Sequence, residues 1–578
     1  MKKLLLIFIV TFNFLLNAQS PTFSWAKKTS GTYNEDCTFI RSDSNGNIYS
    51  IGIFSGIVDF DPGVGTYTLS ASTSYYDFYI LKLDPNGNFL WAKKFGGNTG
   101  DDYANSITVD NNDNIVVTGY FFGNNIDFDP NAGTTLLSSY GLRDIFILKL
   151  DPSGNLIWVK QIGQASNSDE CYSITSDINS NIYISGNFVN TIDFDPNAGI
   201  YNLTASTVLG YSYILKLNSN GDFVWAKQFG GDGSAYINYG KDNHIYITGN
   251  FSYTNGVDFD PTSGADSLYS VNNFQDIYVM KMDTSGNYKW ATSAGGSDDD
   301  MSNAVTADIN GNVYITGIFQ STLCPMGTTT LTNASNTGTY WDIFTAKLDP
   351  FGNFIWAKKL GGNQDDKSFS VSIDNNSNVY TTGYYRTNVD FDPSTTSTFT
   401  LNSGTNYNLF IQKLDQNGNF QWAGDIGGTG TAYKYYAGNS IFLNNNNEIL
   451  VGGNVTGTID ADPTSSTFTM TASATASNAF ILKLNGSGTA TFIKNHELSD
   501  NFKIYPNPSS QEITIELNSK NKISQITITN YLGEQIIKMD NIENNLQKIN
   551  INNLPAGIYQ VSINSNNQIL SSKLVIVK

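Results

Sequence analysis

Carboxylates at fixed spacing are the residues of this 578-residue sequence best placed to do chemistry. Asp59 and Asp61, Asp127 and Asp129, Asp193 and Asp195, Asp258 and Asp260, and Asp390 and Asp392 each bracket a Phe and precede a Pro; Asp460 and Asp462 repeat the spacing around Ala461. In an extended chain residues i and i+2 share a side, so each motif presents two carboxylates together with the middle side chain turned away. Such pairs, with turn carbonyls, suit Ca²⁺, a hard cation that takes six to eight oxygens, and these twelve aspartates are the candidate metal ligands. The competing reading is structural: Asp-Pro stops a strand and Asp caps its own turn. No EF-hand ladder accompanies the motif, and one further copy is replaced by Leu323-Cys-Pro-Met326. Both readings stay open.

Other candidates are weaker. Acids also follow glycine pairs, at Asp101-Asp102, Asp169-Glu170, Asp298-Asp-Asp300 and Asp365-Asp366. Three cysteines, Cys37, Cys171 and Cys324, fall in different repeats, so neither a disulfide nor a thiol nucleophile is expected. His244 and His496 have no ligand spacing, which argues against a zinc site or a Ser-His-Asp triad. Stretches such as Gly96-Gly97-Asn-Thr-Gly100 lack the lysine and following helix of a phosphate cradle. Tyr340-Trp341 interrupts the repeat and either stacks on a glycan face or packs the entry of a strand.

The elements that carry these residues are repeated. Tryptophans at 25, 91, 158, 225, 290, 356 and 422 are spaced by 65 to 67 residues, and Phe492 takes an eighth equivalent place. A constant period over most of a chain takes precedence over any local motif. Each unit ends in a hairpin such as Phe78-Tyr-Ile-Leu-Lys-Leu-Asp84, Pro85-Asn-Gly-Asn88, Phe89-Leu-Trp-Ala-Lys-Lys94. Glycines at 52, 119, 186, 249, 317, 383 and 453 recur at one strand position, which implies close backbone approach. Four short strands per unit and no helical period predict an all-β fold, a seven-bladed β-propeller of four-stranded blades. The strand at 22–28 and the one at 489–494 compete to complete the last blade. In such meanders the 2→3 connection and the link to the next blade share one end, so both sets of acids are expected to crowd one rim. The units resemble the SBBP family of propeller repeats, through segments such as Asn181 to Gly186 and Asp144 to Gly163.

Composition bounds the class. With 32 basic and 51 acidic side chains the net charge is −19, which disfavours a nucleic-acid partner, while 33 Tyr, 35 Phe and 8 Trp supply a core. Residues 1–18 read as a signal peptide: Lys2 and Lys3, an apolar run from Leu4 to Leu16, then Ala18. That run is shorter than a spanning helix, and no later segment is apolar enough to span a bilayer. Residues 19–498 form the repeat domain. From residue 499 to 578 the charge becomes near neutral and alternating runs such as Glu512-Ile-Thr-Ile-Glu-Leu517 predict a small Ig-like β-sandwich. Tyr505-Pro-Asn-Pro508, Leu554-Pro-Ala-Gly-Ile-Tyr559 and Lys573-Leu-Val-Ile-Val-Lys578 resemble the type A sorting domain of the type IX secretion system. The resemblance implies handling by that machinery and a secreted protein that is released or attached to the outer cell surface.

The expected function is non-enzymatic: binding or adhesion through an acidic propeller face, to a glycan or a protein, with Ca²⁺ as the candidate cofactor. Catalytic groups should be unique within a repeat array, whereas these acids are periodic. A glycoside hydrolase or polysaccharide lyase on a propeller scaffold, and a structural component of the cell envelope, are the alternatives.

Overall fold

β-branched and aromatic runs punctuated by Asx-Gly turns form strands throughout a computed structural model, and no helix occurs among the described residues. The structure describes residues 20–486 and 502–577, apart from 98, 165–168, 206–209, 232, 336–337, 429–436, 465, 474–475, 518–522, 530–534, 541, 543, 556 and 566–567. The expected signal segment, the strand near Phe492 and His496 lie outside the described residues. Two compact units divide between Gly488 and Thr489.

Among the described residues the first unit holds seven four-stranded antiparallel sheets, one per repeat, here called blades. Blade 1 consists of Glu35–Ser42, Ile48–Phe54, Asp77–Leu83 and Phe89–Phe95, and blade 2 of Tyr103–Val109, Ile115–Phe121, Asp144–Leu150 and Leu156–Ile162. Blades 3 to 6 span 170–229, 235–294, 300–360 and 367–426. Blade 7 takes Ala437–Leu443, Ile449–Val455 and Asn478–Asn485 from the end of the array and Thr22–Lys28 from its start. The N-terminal strand therefore completes the last blade. First strands of successive blades pack on one another, and that of blade 7 packs on that of blade 1, which closes the series.

Second and third strands are buried along their whole length, as in Ile48–Phe54 and Asp77–Leu83, because neighbouring blades cover both faces. Outer fourth strands are only partly covered. The recurring glycine answers to sterics: a Cβ on Gly52 would stand 1.7 Å from the Asp36 carbonyl oxygen, at the bulge where the first strand shifts register.

Second and third strands are joined by a small two-stranded ribbon, such as Ile126–Asp127 with Leu136–Leu137; in blade 6 it is continuous with the long strands Val379–Asp390 and Thr400–Leu414. In the second unit, a three-stranded sheet (Phe502–Tyr505, Glu512–Leu517, Leu546–Asn550) and a four-stranded sheet (Gln535–Asp540, Gln525–Thr529, Gly557–Ser565, Gln568–Ile576) share one core that includes Ile513, Ile515, Ile526, Ile528 and Val561.

Candidate functional site

The twelve Asp-x-Asp carboxylates sit in the ribbons. Asp127 Oδ1 accepts the Asp129 N–H at 3.0 Å and the Thr135 N–H at 2.8 Å, and Asp129 Oδ1 accepts the Asn131 N–H at 3.0 Å. The same three bonds recur at Asp59 and Asp61, Asp193 and Asp195, Asp258 and Asp260, Asp390 and Asp392, and Asp460 and Asp462. Each first Asp ends its strand and closes the ribbon loop, while each second Asp makes a separate turn. The middle Phe is buried; Phe128 meets Phe121 edge-on at 5.3 Å.

The base of a ribbon touches the link after the preceding blade, as where Gly230 N–H donates to Asp258 O. Its tip folds back along the outer flank. Asn131 donates to Gly154 O, accepts from Lys93 in the fourth strand of blade 1, and thereby reaches the 3→4 turn of its own blade. Tyr67 likewise packs on Phe89 at the start of a fourth strand. Ribbon bases and inter-blade links thus share one end of the blades, where Ser30 also pairs with Asp59 and Gly427 bridges to Asp460, while the buried Phe pins its ribbon to the blade. Among the described residues no three His, Cys, Asp or Glu side chains come together to hold a metal ion.

The acids after the glycine pairs behave differently. Asp102, Asp169, Asp300 and Asp366 are fully buried, as is Glu35 at the equivalent place in blade 1. Backbone donors hold them: Gly97 and Phe122 N–H groups on Asp102, Gly362 and Arg386 N–H groups on Asp366. Each lies near the residue that opens the third strand of the preceding blade, Asp77, Asp144, Asp276 or Asp342, themselves buried. A Cβ on Gly96 would stand 2.4 Å from Asp77 Oδ1 and 2.8 Å from Asp102 Oδ2, so both carboxylates converge on that glycine. Burial pushes Asp102, Asp169, Asp276 and Asp342 up to about 7 and Asp300 to about 6, with the like-charged neighbour reinforcing the rise for Asp102, Asp169 and Asp276. Asp77, Asp169, Asp276 and Asp342 each keep a buried Oδ1 without a donor.

Turn acids have the opposite character. Asp84 Oδ1 accepts the Asn86 and Asn88 N–H groups and its Oδ2 accepts the Asn88 amide; Asp151, Asp283, Asp349 and Asp415 repeat this pattern. Their hydrogen bonds outweigh the small burial cost, so Asp84, Asp151 and Asp349 are lowered and Asp283 falls to about 2. The turns also lock adjacent blades. Trp91 Nε1 and Lys82 Nζ both donate to Pro152 O of the next blade, and Trp158 and Lys149 do the same to Ser219 O. The buried lysine row, with Lys149 paired to Asp110 at 2.7 Å, went unread in the sequence; its regular place before the turn aspartate was the available signal.

On the axis, the seven first strands enclose a cavity of about 700 Å³. Among the described residues its lining holds no carboxylate, and its cations are Arg41 and Lys241. Lys241 reaches from blade 4 to Asn375 of blade 6 at 3.3 Å. Elsewhere, the three cysteines are free and buried, with burial raising Cys37 and Cys171 to about 12. His244 contacts Asp242 in a turn. Trp341 packs at a strand entry, where Lys367 lies 5.4 Å from its ring centre.

Residues 503–577 match the secretion system C-terminal sorting domain, and residues 90–120, 157–187 and 355–392 match the beta-propeller repeat. The chain carries SBBP propeller repeats and a type IX sorting tail. The tail marks it for export, to be secreted or attached at the cell surface, and implies interaction with the secretion machinery. An uncharacterized WD repeat-containing protein of Acanthamoeba polyphaga mimivirus is 26% identical, over 69% of this chain and 34% of that protein; the chain thus spans about a third of that relative's length. No helix among the described residues is long and apolar enough to cross a membrane.

Proposed function

We propose that the exported chain is a non-enzymatic binding or adhesion protein for a glycan or protein partner, and that recognition centres on the propeller axis. One observation carries this reading. The periodic acids are engaged in turns or buried at blade junctions, whereas the axial cavity is lined by seven first strands that differ from one another. A repeat array offers an asymmetric site only where its copies diverge. The cavity size falls within the range of ordinary ligand sites.

A glycan array and a polysaccharide-depolymerisation screen on the secreted chain, with and without Ca²⁺, test the proposal. Retention of a glycan or protein without cleavage is the expected result. Release of shortened sugars would replace it with a hydrolase or lyase, and absence of any retained partner would leave a purely structural envelope role.

A further inference from the structure

We infer that the axial cavity is a binding site for a carboxylate-bearing saccharide, with Arg41 as its anion anchor. The inference rests on the binding-protein reading and names the ligand class for that site.

The register of first on second strands fixes the geometry. Arg41 pairs with Tyr49, Thr108 with Val116, Thr175 with Tyr183, Asn238 with Tyr246, Thr306 with Tyr314, Ser372 with Tyr380 and Phe442 with Leu450. These seven first-strand residues occupy one level, and all of them line the cavity. Five are hydroxyl or amide side chains, one is a cation and one is an aromatic ring.

Arg41 is the unique member. Its guanidinium lies 4.5 Å from the Phe39 ring centre and 5.1 Å from that of Phe442. Nη1 donates to Ile40 O at 2.8 Å, and no carboxylate pairs with the guanidinium among the described residues. Burial lowers Arg41 only to about 10, so it stays charged at neutral pH. A partly desolvated cation without an anion is costly in isolation and is relieved by a ligand that brings one. The chain has 51 acids, yet among the described residues none lines the cavity, so the absence of a counter-ion there is specific to this place.

The rest of the lining selects a sugar over a bare anion. Thr175 Oγ1 accepts the Tyr239 N–H at 3.2 Å and Ser372 Oγ accepts the Leu443 N–H at 3.2 Å, so each hydroxyl keeps its proton to donate. Tyr172, Tyr236 and Phe369 add partly buried aromatic rings to the wall. Rings for sugar faces, hydroxyls and an amide for sugar hydroxyls, and a planar fork for a carboxylate make one coherent donor set.

Calorimetric titration of the full chain with digalacturonic acid and sialyllactose, each beside its neutral methyl ester, is the test. At least one acid should bind about tenfold or more tighter than its ester. Arg41→Met should erase that preference, and Arg41→Lys should retain part of it. The melting temperature of Arg41→Met should equal or exceed that of the parent, since the variant removes an unpaired charge; a clear drop would assign Arg41 a structural role instead. Equal binding of acid and ester, no binding of either acid, or preference retained in Arg41→Met would overturn the anion site. Equal affinity for Gly-Glu-Gly would overturn the sugar. Retention of neutral glycans or proteins on the array, unchanged in Arg41→Met, would sink this inference while leaving the binding-protein reading intact.

Discussion

At the residue scale, blade 7 shows how a buried acid pair is relieved. There the third strand opens with Asn478 in place of Asp, and its amide donates to Glu35 at 3.2 Å. In blade 4 the same position is Asp276, whose Oδ2 accepts the Val271 N–H and whose Oδ1 has no donor. A protonated Asp276 supplies the missing O–H; an ionised one faces Asp300 within a buried junction. Asp276→Asn should therefore raise the melting temperature at pH 8, where the parent carboxylate is ionised, and change it little at pH 5. Melting curves of both proteins at the two pH values check this, and equal shifts at both would show that charge is not the cause. These pairs were only half legible in the sequence. The acids after the glycines stood out, but Asp77 and its counterparts read merely as the residue before a strand, and no local spacing joins them to a partner in the next blade.

At the element scale, turns and ribbons were legible by their chemistry, but the path of the ribbon tips was not. The Asx-Gly hairpins were evident, and the structure adds why glycine is needed: Gly154 has φ +81°, and a Cβ there would stand 3.3 Å from Trp91 of the preceding blade. Gly154→Ala should cost about 1–3 kcal/mol through the left-handed backbone alone, read as a lower denaturant midpoint. Strand alternation does not reveal that the tip of an Asp-Phe-Asp-Pro ribbon folds back along the blade flank, as Asn131 does to reach Gly154 O. Their hydrogen bonds distinguish the two readings of the motif. Asp127→Asn keeps an acceptor for the Asp129 and Thr135 N–H groups, whereas Asp127→Ala leaves both without one. A turn role predicts near-parent stability for the first and a loss of about 1–3 kcal/mol for the second, with no response to EDTA or Ca²⁺. A calcium role predicts that both variants lose stability and that EDTA lowers the melting temperature of the parent.

For the whole molecule, the tryptophan period made the repeat count readable and left closure open, since strands at both ends of the array matched the same role; pairing of Thr22–Lys28 with Asn478–Asn485 decides for the N-terminal one. A closed ring multiplies whatever happens at each junction, so its response to pH is a sum over blades. Two populations of acids pull in opposite directions. Asp84, Asp151, Asp283 and Asp349 have folded values below their unfolded ones, so their contribution is present above about pH 4 and is lost on acidification. Glu35, Asp102, Asp169, Asp276 and Asp342 are raised to about 7 and Asp300 to about 6, so the folded state binds more protons than the unfolded chain between about pH 4 and 7. Stability must then fall as pH rises through that window and level off above it. The net charge of −19 adds self-repulsion of the same sign. Thermal melts at constant ionic strength should give a maximum between about pH 4 and 5, a decline toward pH 7 and a plateau beyond, with a steep loss below pH 4 as the turn caps protonate. A melting temperature that is flat or climbs from pH 5 to 8 would mean that the junction carboxylates stay ionised in the folded ring, and would require a cation or ordered water beside their orphaned oxygens.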